Sequence, residues 1–106
     1  MAAIQYTTDK FRQELHEGKT ILIDYWAPWC SYCRRIGPAY EKISEEWGDK
    51  LAIGKINIDE ETQLARQEHI EVIPTLVFYK GGEAVASIVA PESKAAIEQF
   101  IEENLG

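Results

Sequence analysis

Cys30 and Cys33 are the only thiols in a chain of 106 residues, and just two residues separate them. Thiols at that spacing could staple a fold, hold half of a metal site, sit as ordinary core side chains or exchange electrons. A bridge closing so short a loop removes little entropy from the unfolded chain, which argues against a staple. A zinc centre usually takes four ligands, and His16 and His69 have no ligand-like spacing to the cysteines. Exchange fits best, since a C-x-x-C beside a βαβ pattern marks thiol–disulfide chemistry. The pair falls where an apolar run ends and a helical period begins. Free N–H groups and the positive end of the dipole at a helix start favour an anion. Cys30, at or near the first helical position, is then the better thiolate and the nucleophile. Cys33, one turn on and on the same face, can resolve a mixed disulfide.

Positioning those thiols requires a strand before them and a helix after. Thr20–Trp26 (TILIDYW) is β-branched, aromatic and apolar, the pattern of a central strand buried on both faces, with Asp24 its one charged member. Beyond Pro28, Ile36, Tyr40, Ile43 and Trp47 recur at steps of four, three and four, an amphipathic helix that Pro38 should bend and Gly48 should stop. Around this unit, Ile4–Tyr6 reads as a short strand and Phe11 with Leu15 as the buried stripe of a helix that Gly18 ends. Leu51–Ile58 is a further strand, and Glu60–His69 a weakly patterned helix. Thr75–Tyr79 and Ala84–Ile88 are strands joined by a Gly81-Gly82 hairpin. Ser93 caps a last helix carrying Ile97, Phe100, Ile101 and Leu105 on one side. The order βαβαβαββα predicts an α/β fold, with parallel strands, right-handed crossovers and one antiparallel hairpin in a mixed sheet covered by helices on both faces.

Composition narrows the setting. Apolar residues at 45% and charged residues at 27% are ordinary for a globular chain, and the length suits one domain over residues 1–106. A net charge of -7 argues against a nucleic-acid partner, because such affinity rests on Lys and Arg. The opening MAAIQYTTDKF lacks the basic start and apolar run of a signal peptide, and no stretch reaches the roughly 18 apolar residues of a membrane span. The expected address is the cytosol, where catalytic rather than structural disulfides occur. There is no G-x-G-x-x-G and no P-loop, so no cofactor and no metal are expected, and electrons must come from another protein or a small thiol.

The string DYWAPWCSYCRRIGP resembles the thioredoxin active-site region, and KINID, IPTLVFYKGGE and SKAAIEQFIEENL resemble the rest of that family in order and spacing. The resemblance covers nearly the whole chain. It implies a thioredoxin fold and the reduction of protein disulfides, with Cys30 the exposed nucleophile and Cys33 the buried resolving thiol. By the same resemblance, Asp24 is the buried carboxylate beneath the cysteines, its pKa raised by desolvation so that it can take the Cys33 proton. Lys55 is its cationic neighbour. Pro74 matches the proline whose preceding bond is cis, which would offer the Ile73 backbone to an extended substrate. Trp29 matches the partly exposed aromatic over the disulfide, while Trp26 and Trp47 are expected in the core. The implied partners are disulfide-containing substrate proteins and a reducing partner, either thioredoxin reductase or the glutathione/glutaredoxin system, acting on a monomer.

The chain departs from that family at several places. Ser31-Tyr32 replaces the usual Gly-Pro, so Tyr32 adds a backbone donor near the Cys30 sulfur that should favour the reduced dithiol and make a weaker reductant. Val72 and Ala90 stand where glycines usually line the substrate groove, adding bulk beside Ile73 and Val89; by the resemblance the expected substrate contacts are Trp29, Tyr32, Ile73, Pro74, Val89 and Ala90. Arg34-Arg35 adds positive charge just after the site. These departures keep two further readings open: an oxidase or isomerase, and a thioredoxin-fold binding module.

Overall fold

A computed structural model describes residues 3–106; Met1 and Ala2, included in the expected domain, lie outside the described residues. Nine elements follow in the predicted order: β1 (Ile4–Gln5), α1 (Thr8–His16), β2 (Ile21–Trp26), α2 (Ser31–Trp47), β3 (Ala52–Asn57), α3 (Thr62–Gln67), β4 (Thr75–Lys80), β5 (Glu83–Val89) and α4 (Lys94–Leu105). The strands form one five-stranded sheet in the order β1-β3-β2-β4-β5. β3 runs parallel to both β1 and β2, whereas β4 is antiparallel to β2 and to β5. The hairpin joining β4 and β5 has positive φ at both Gly81 (64°) and Gly82 (86°), the geometry that suits the twist of paired strands.

Alternation along β2 and β4 builds two cores. Leu22, Leu76 and Phe78 face Ile36, Tyr40 and Ile43 of α2 and Ile97, Phe100 and Ile101 of α4. Ile21, Ile23, Tyr25, Val77 and Tyr79 face Phe11 of α1 and Leu64 of α3. The central strand is therefore buried on both faces, as its composition predicts. Asp24 shares the Leu22 face, so the sheet presses a carboxylate into the layer beneath α2.

Several local expectations are corrected. α3 ends at Gln67, and His69 lies beyond it with φ 59°, a left-handed conformation that no helix continues through. Gly48 does stop α2, but with φ -63° rather than a left-handed turn; a Cβ there would meet the Ser44 carbonyl at 2.6 Å. Trp47 is half-buried against the α2–α4 core rather than inside it, with the Lys50 ammonium 4.9 Å from its ring centre. Trp26 is also only half-buried.

Gly54 of β3 shows how tightly the layers meet, since a Cβ there would strike the Tyr6 ring and come within 2.7 Å of the Ile4 carbonyl. Neither partner can yield without moving β1. Gly54→Ala should therefore destabilise the protein by about 1–3 kcal/mol, read as a lower urea midpoint at unchanged m-value.

Candidate functional site

The site is assembled at the junction of β2 and α2. Residues 27–30 leave the sheet, with Cys30 N–H bonded to Ala27 O at 3.1 Å, and α2 begins at Ser31. Cys30 is the N-cap, and its sulfur accepts the Cys33 N–H at 3.2 Å. A side-chain acceptor at that position normally serves an N2 or N3 amide, so sulfur here replaces the usual oxygen. The two cysteines form a disulfide, with their Cα atoms 5.3 Å apart. In this disulfide form the donor to the Cys30 sulfur is thus the Cys33 N–H, while the Tyr32 N–H, at N2, makes no bond to it among the described residues.

The second wall comes from the loop before β4. The Ile73–Pro74 bond is cis, and the Ile73 carbonyl oxygen lies 3.9 Å from the Cys30 sulfur. Among the described residues the Ile73 N–H has no hydrogen-bond partner, leaving it available to an added strand. Ala90 N–H donates to Pro74 O at 2.9 Å, which draws the end of β5 alongside. Trp29, Val72 and Val89 are 65%, 53% and 53% exposed, an unusual grouping of large apolar side chains left to water around one site. Trp29 is held by its indole N–H, which donates to Asp59 Oδ2 at 2.8 Å. Arg34 Nη1 donates to Pro28 O at 2.9 Å, fixing a cation beside the loop that carries Cys30. Tyr32 lies differently: its ring packs against the α2–α4 core and its hydroxyl donates to Pro91 O at 2.9 Å.

Beneath the disulfide helix, Asp24 is 1% exposed and its Oδ1 has no hydrogen-bond partner. Desolvation pushes its pKa up from 3.8 to about 7, with Lys55 pulling it down and Glu41 adding to the rise. Lys55 pairs with Asp24 in strand register, yet its ammonium lies 4.0 Å from Glu41 Oε2 and 4.2 Å from the centre of the Trp26 ring. The cation is therefore shared outward, and no ion pair joins it to Asp24 among the described residues. The hydroxyl of Tyr40, buried under α2, donates to Gly54 O at 2.7 Å.

The structure sets the Ile73 carbonyl and the cis Ile73–Pro74 bond beside the Cys30–Cys33 disulfide, with Ala90 bonded to Pro74 and Val89 paired with Thr75 on the neighbouring strand. Trp29 is next to Cys30 in the chain, and Asp24 is in register with Lys55 in the sheet under α2. Sequence reasoning missed Glu41 and Asp59, each a solvent-side carboxylate whose role comes from a partner distant in sequence. No group of His, Cys, Asp and Glu that could hold a metal is found among the described residues. The arrangement can pass two electrons between a dithiol and a disulfide.

Comparison with known proteins agrees with this chemistry. The thioredoxin family model matches residues 2–103. The chain is 38% identical to thioredoxin 1 of Nostoc sp. over 105 residues, covering 98% of each. It is 39% identical to the thioredoxin of Bacillus subtilis over 105 residues, covering 99% of this chain and 100% of that one. The crystal structure of the thioredoxin of Malassezia sympodialis superposes with a TM-score of 0.88 at 33% identity, over 100% of this chain and 96% of the other. With matching sequence, matching fold and a disulfide at the tip of α2, the chain belongs to the thioredoxin family and is a thiol–disulfide oxidoreductase that reduces protein disulfides.

Proposed function

We propose that in this reductase Cys30 is the attacking thiolate, Cys33 the resolving thiol and Asp24 the proton acceptor. One observation carries the assignment: the Cys30 sulfur occupies the N-cap of α2 and accepts an amide there, whereas Cys33 lies inside the helix. A thiolate is stabilised at the first of these positions and not at the second. Cys30 attacks one sulfur of a substrate disulfide; that S–S bond breaks, and the other substrate sulfur leaves as a thiolate and takes a proton from water. Cys33 then yields its proton to Asp24, and its sulfur attacks Cys30, expelling the second substrate thiolate. Two electrons have passed to the substrate, and the protein holds the Cys30–Cys33 disulfide.

The substrate's extended backbone pairs with Ile73 beside Pro74, while Trp29, Val72, Val89 and Ala90 supply the apolar seat. Lys55, bridged to Glu41, sets the field under which Asp24 titrates. A reducing partner, thioredoxin reductase or glutathione with glutaredoxin, returns the electrons. The net charge of -7 makes nucleic acid a poor partner, and no helix among the described residues is long and apolar enough to cross a membrane. We place the protein in the cytosol, as a monomer of one domain.

The assignment is tested by trapping. Cys33→Ser removes the resolving sulfur, so incubation with insulin should accumulate a covalent adduct through Cys30, read as a mass increase under non-reducing conditions. Absence of that adduct, or an adduct formed through Cys33 when Cys30 is the residue replaced, would reverse the roles.

A further inference from the structure

We propose that Tyr32 is a positioning residue, a latch that ties the turn after β5 to the tip of α2 and so holds the substrate-facing wall in shape. The turn needs holding. Ala90 has φ 45°, a left-handed conformation in which its Cβ crowds the following carbonyl, and which glycine adopts without that conflict. Two hydrogen bonds keep it there. On one side Ala90 N–H donates to Pro74 O at 2.9 Å. On the other, the Tyr32 hydroxyl donates to Pro91 O at 2.9 Å, and Pro91 is itself buried.

The tyrosine is well placed to act as a strut. Its ring packs against the core formed by α2 and α4, and the Arg35 guanidinium lies 6.0 Å from the ring centre on the solvent side. The hydroxyl can therefore swing little before it meets protein, and its bond spans two segments 59 residues apart in the chain. A proline between the cysteines has no group that could reach Pro91. The Tyr32 and Ala90 departures thus work as one device: the side chain added at the first position stabilises the backbone conformation disfavoured at the second. The substrate-side consequence rests on reading Ile73, Val89 and Ala90 as the substrate surface.

Tyr32→Phe removes the hydroxyl alone and keeps the ring and the backbone N–H. It is compared with wild type, Ala90→Gly and the double variant. Loss of one neutral hydrogen bond predicts about fivefold faster amide exchange at Ala90 and about a fivefold rise in KM for insulin, with kcat moving by less. In the Ala90→Gly background both effects should shrink below about twofold, because glycine needs no latch. Unchanged exchange at Ala90 in Tyr32→Phe, or undiminished effects in the glycine background, would overturn the latch. Faster exchange with an unchanged insulin KM would instead overturn the reading of this wall as the substrate surface.

Discussion

Cys30→Ser is expected to bring insulin-disulfide reduction down to the uncatalysed background, a loss of at least about three orders of magnitude, while the fold survives. The reasons lie in one position with two roles. As the proposed nucleophile, Cys30 needs an ionisable sulfur, and a serine hydroxyl stays protonated at any pH the protein would meet. As the N-cap of α2, it needs only an acceptor for the Cys33 N–H, and serine is among the best residues there. Far-UV circular dichroism and urea unfolding, compared with the reduced wild type, should show the helix retained. The contrast also separates an enzyme from a binding module, since docking of an oxidised substrate should persist in the inactive variant. A Cys30→Ser protein keeping a substantial part of the wild-type rate would remove the proposed chemistry altogether.

The second large effect is on stability and runs opposite to intuition about a functional residue. Asp24→Asn should stabilise the oxidised protein at neutral and alkaline pH. In the folded protein the Asp24 carboxyl titrates near 7 rather than 3.8, because burial penalises its charge more than Lys55 offsets it, with Glu41 reinforcing the penalty. The folded pKa lies above the unfolded one, so the folded state holds the proton more tightly. That contribution is fully present below about pH 4 and falls away as pH rises to about 7, where the buried carboxylate becomes charged. The whole interval corresponds to about 4 kcal/mol at most. An asparagine has no such charge to bury. The difference in unfolding free energy between variant and wild type should be small near pH 4 and approach that limit above pH 7. Parallel pH profiles for the two proteins would contradict the burial argument. The same substitution removes the proposed proton acceptor, and release of substrate from the mixed disulfide should slow.

A buried carboxylate that destabilises its own protein fits the proton-accepting role proposed for Asp24. Asp24 sits mid-strand, with its Oδ1 unpartnered, where an apolar side chain would pack without that penalty. Proton transfer requires an acceptor that is neither firmly charged nor firmly neutral at working pH, and desolvation inside the sheet supplies that state.

Much of this was legible in the chain. The run TILIDYW declared a central strand and singled out its acid, and the apolar period from Ile36 to Trp47 declared the helix that carries Cys30 at its tip. Both signals are local, arising from side chains a few positions apart that must share a face, and for that reason they survive without coordinates. The bond between Trp29 and Asp59, the sharing of Lys55 with Glu41 and the latch from Tyr32 to Pro91 left no comparable trace. Each joins segments whose approach is settled by strand order and helix packing, and nothing in the residue types says which acid or carbonyl will be within reach. By itself, then, the sequence determined the elements, the thiol pair at a helix start and the acid within a buried strand. Only the tertiary structure decided which groups hold them, because a side chain's partner depends on where the sheet brings distant backbone together.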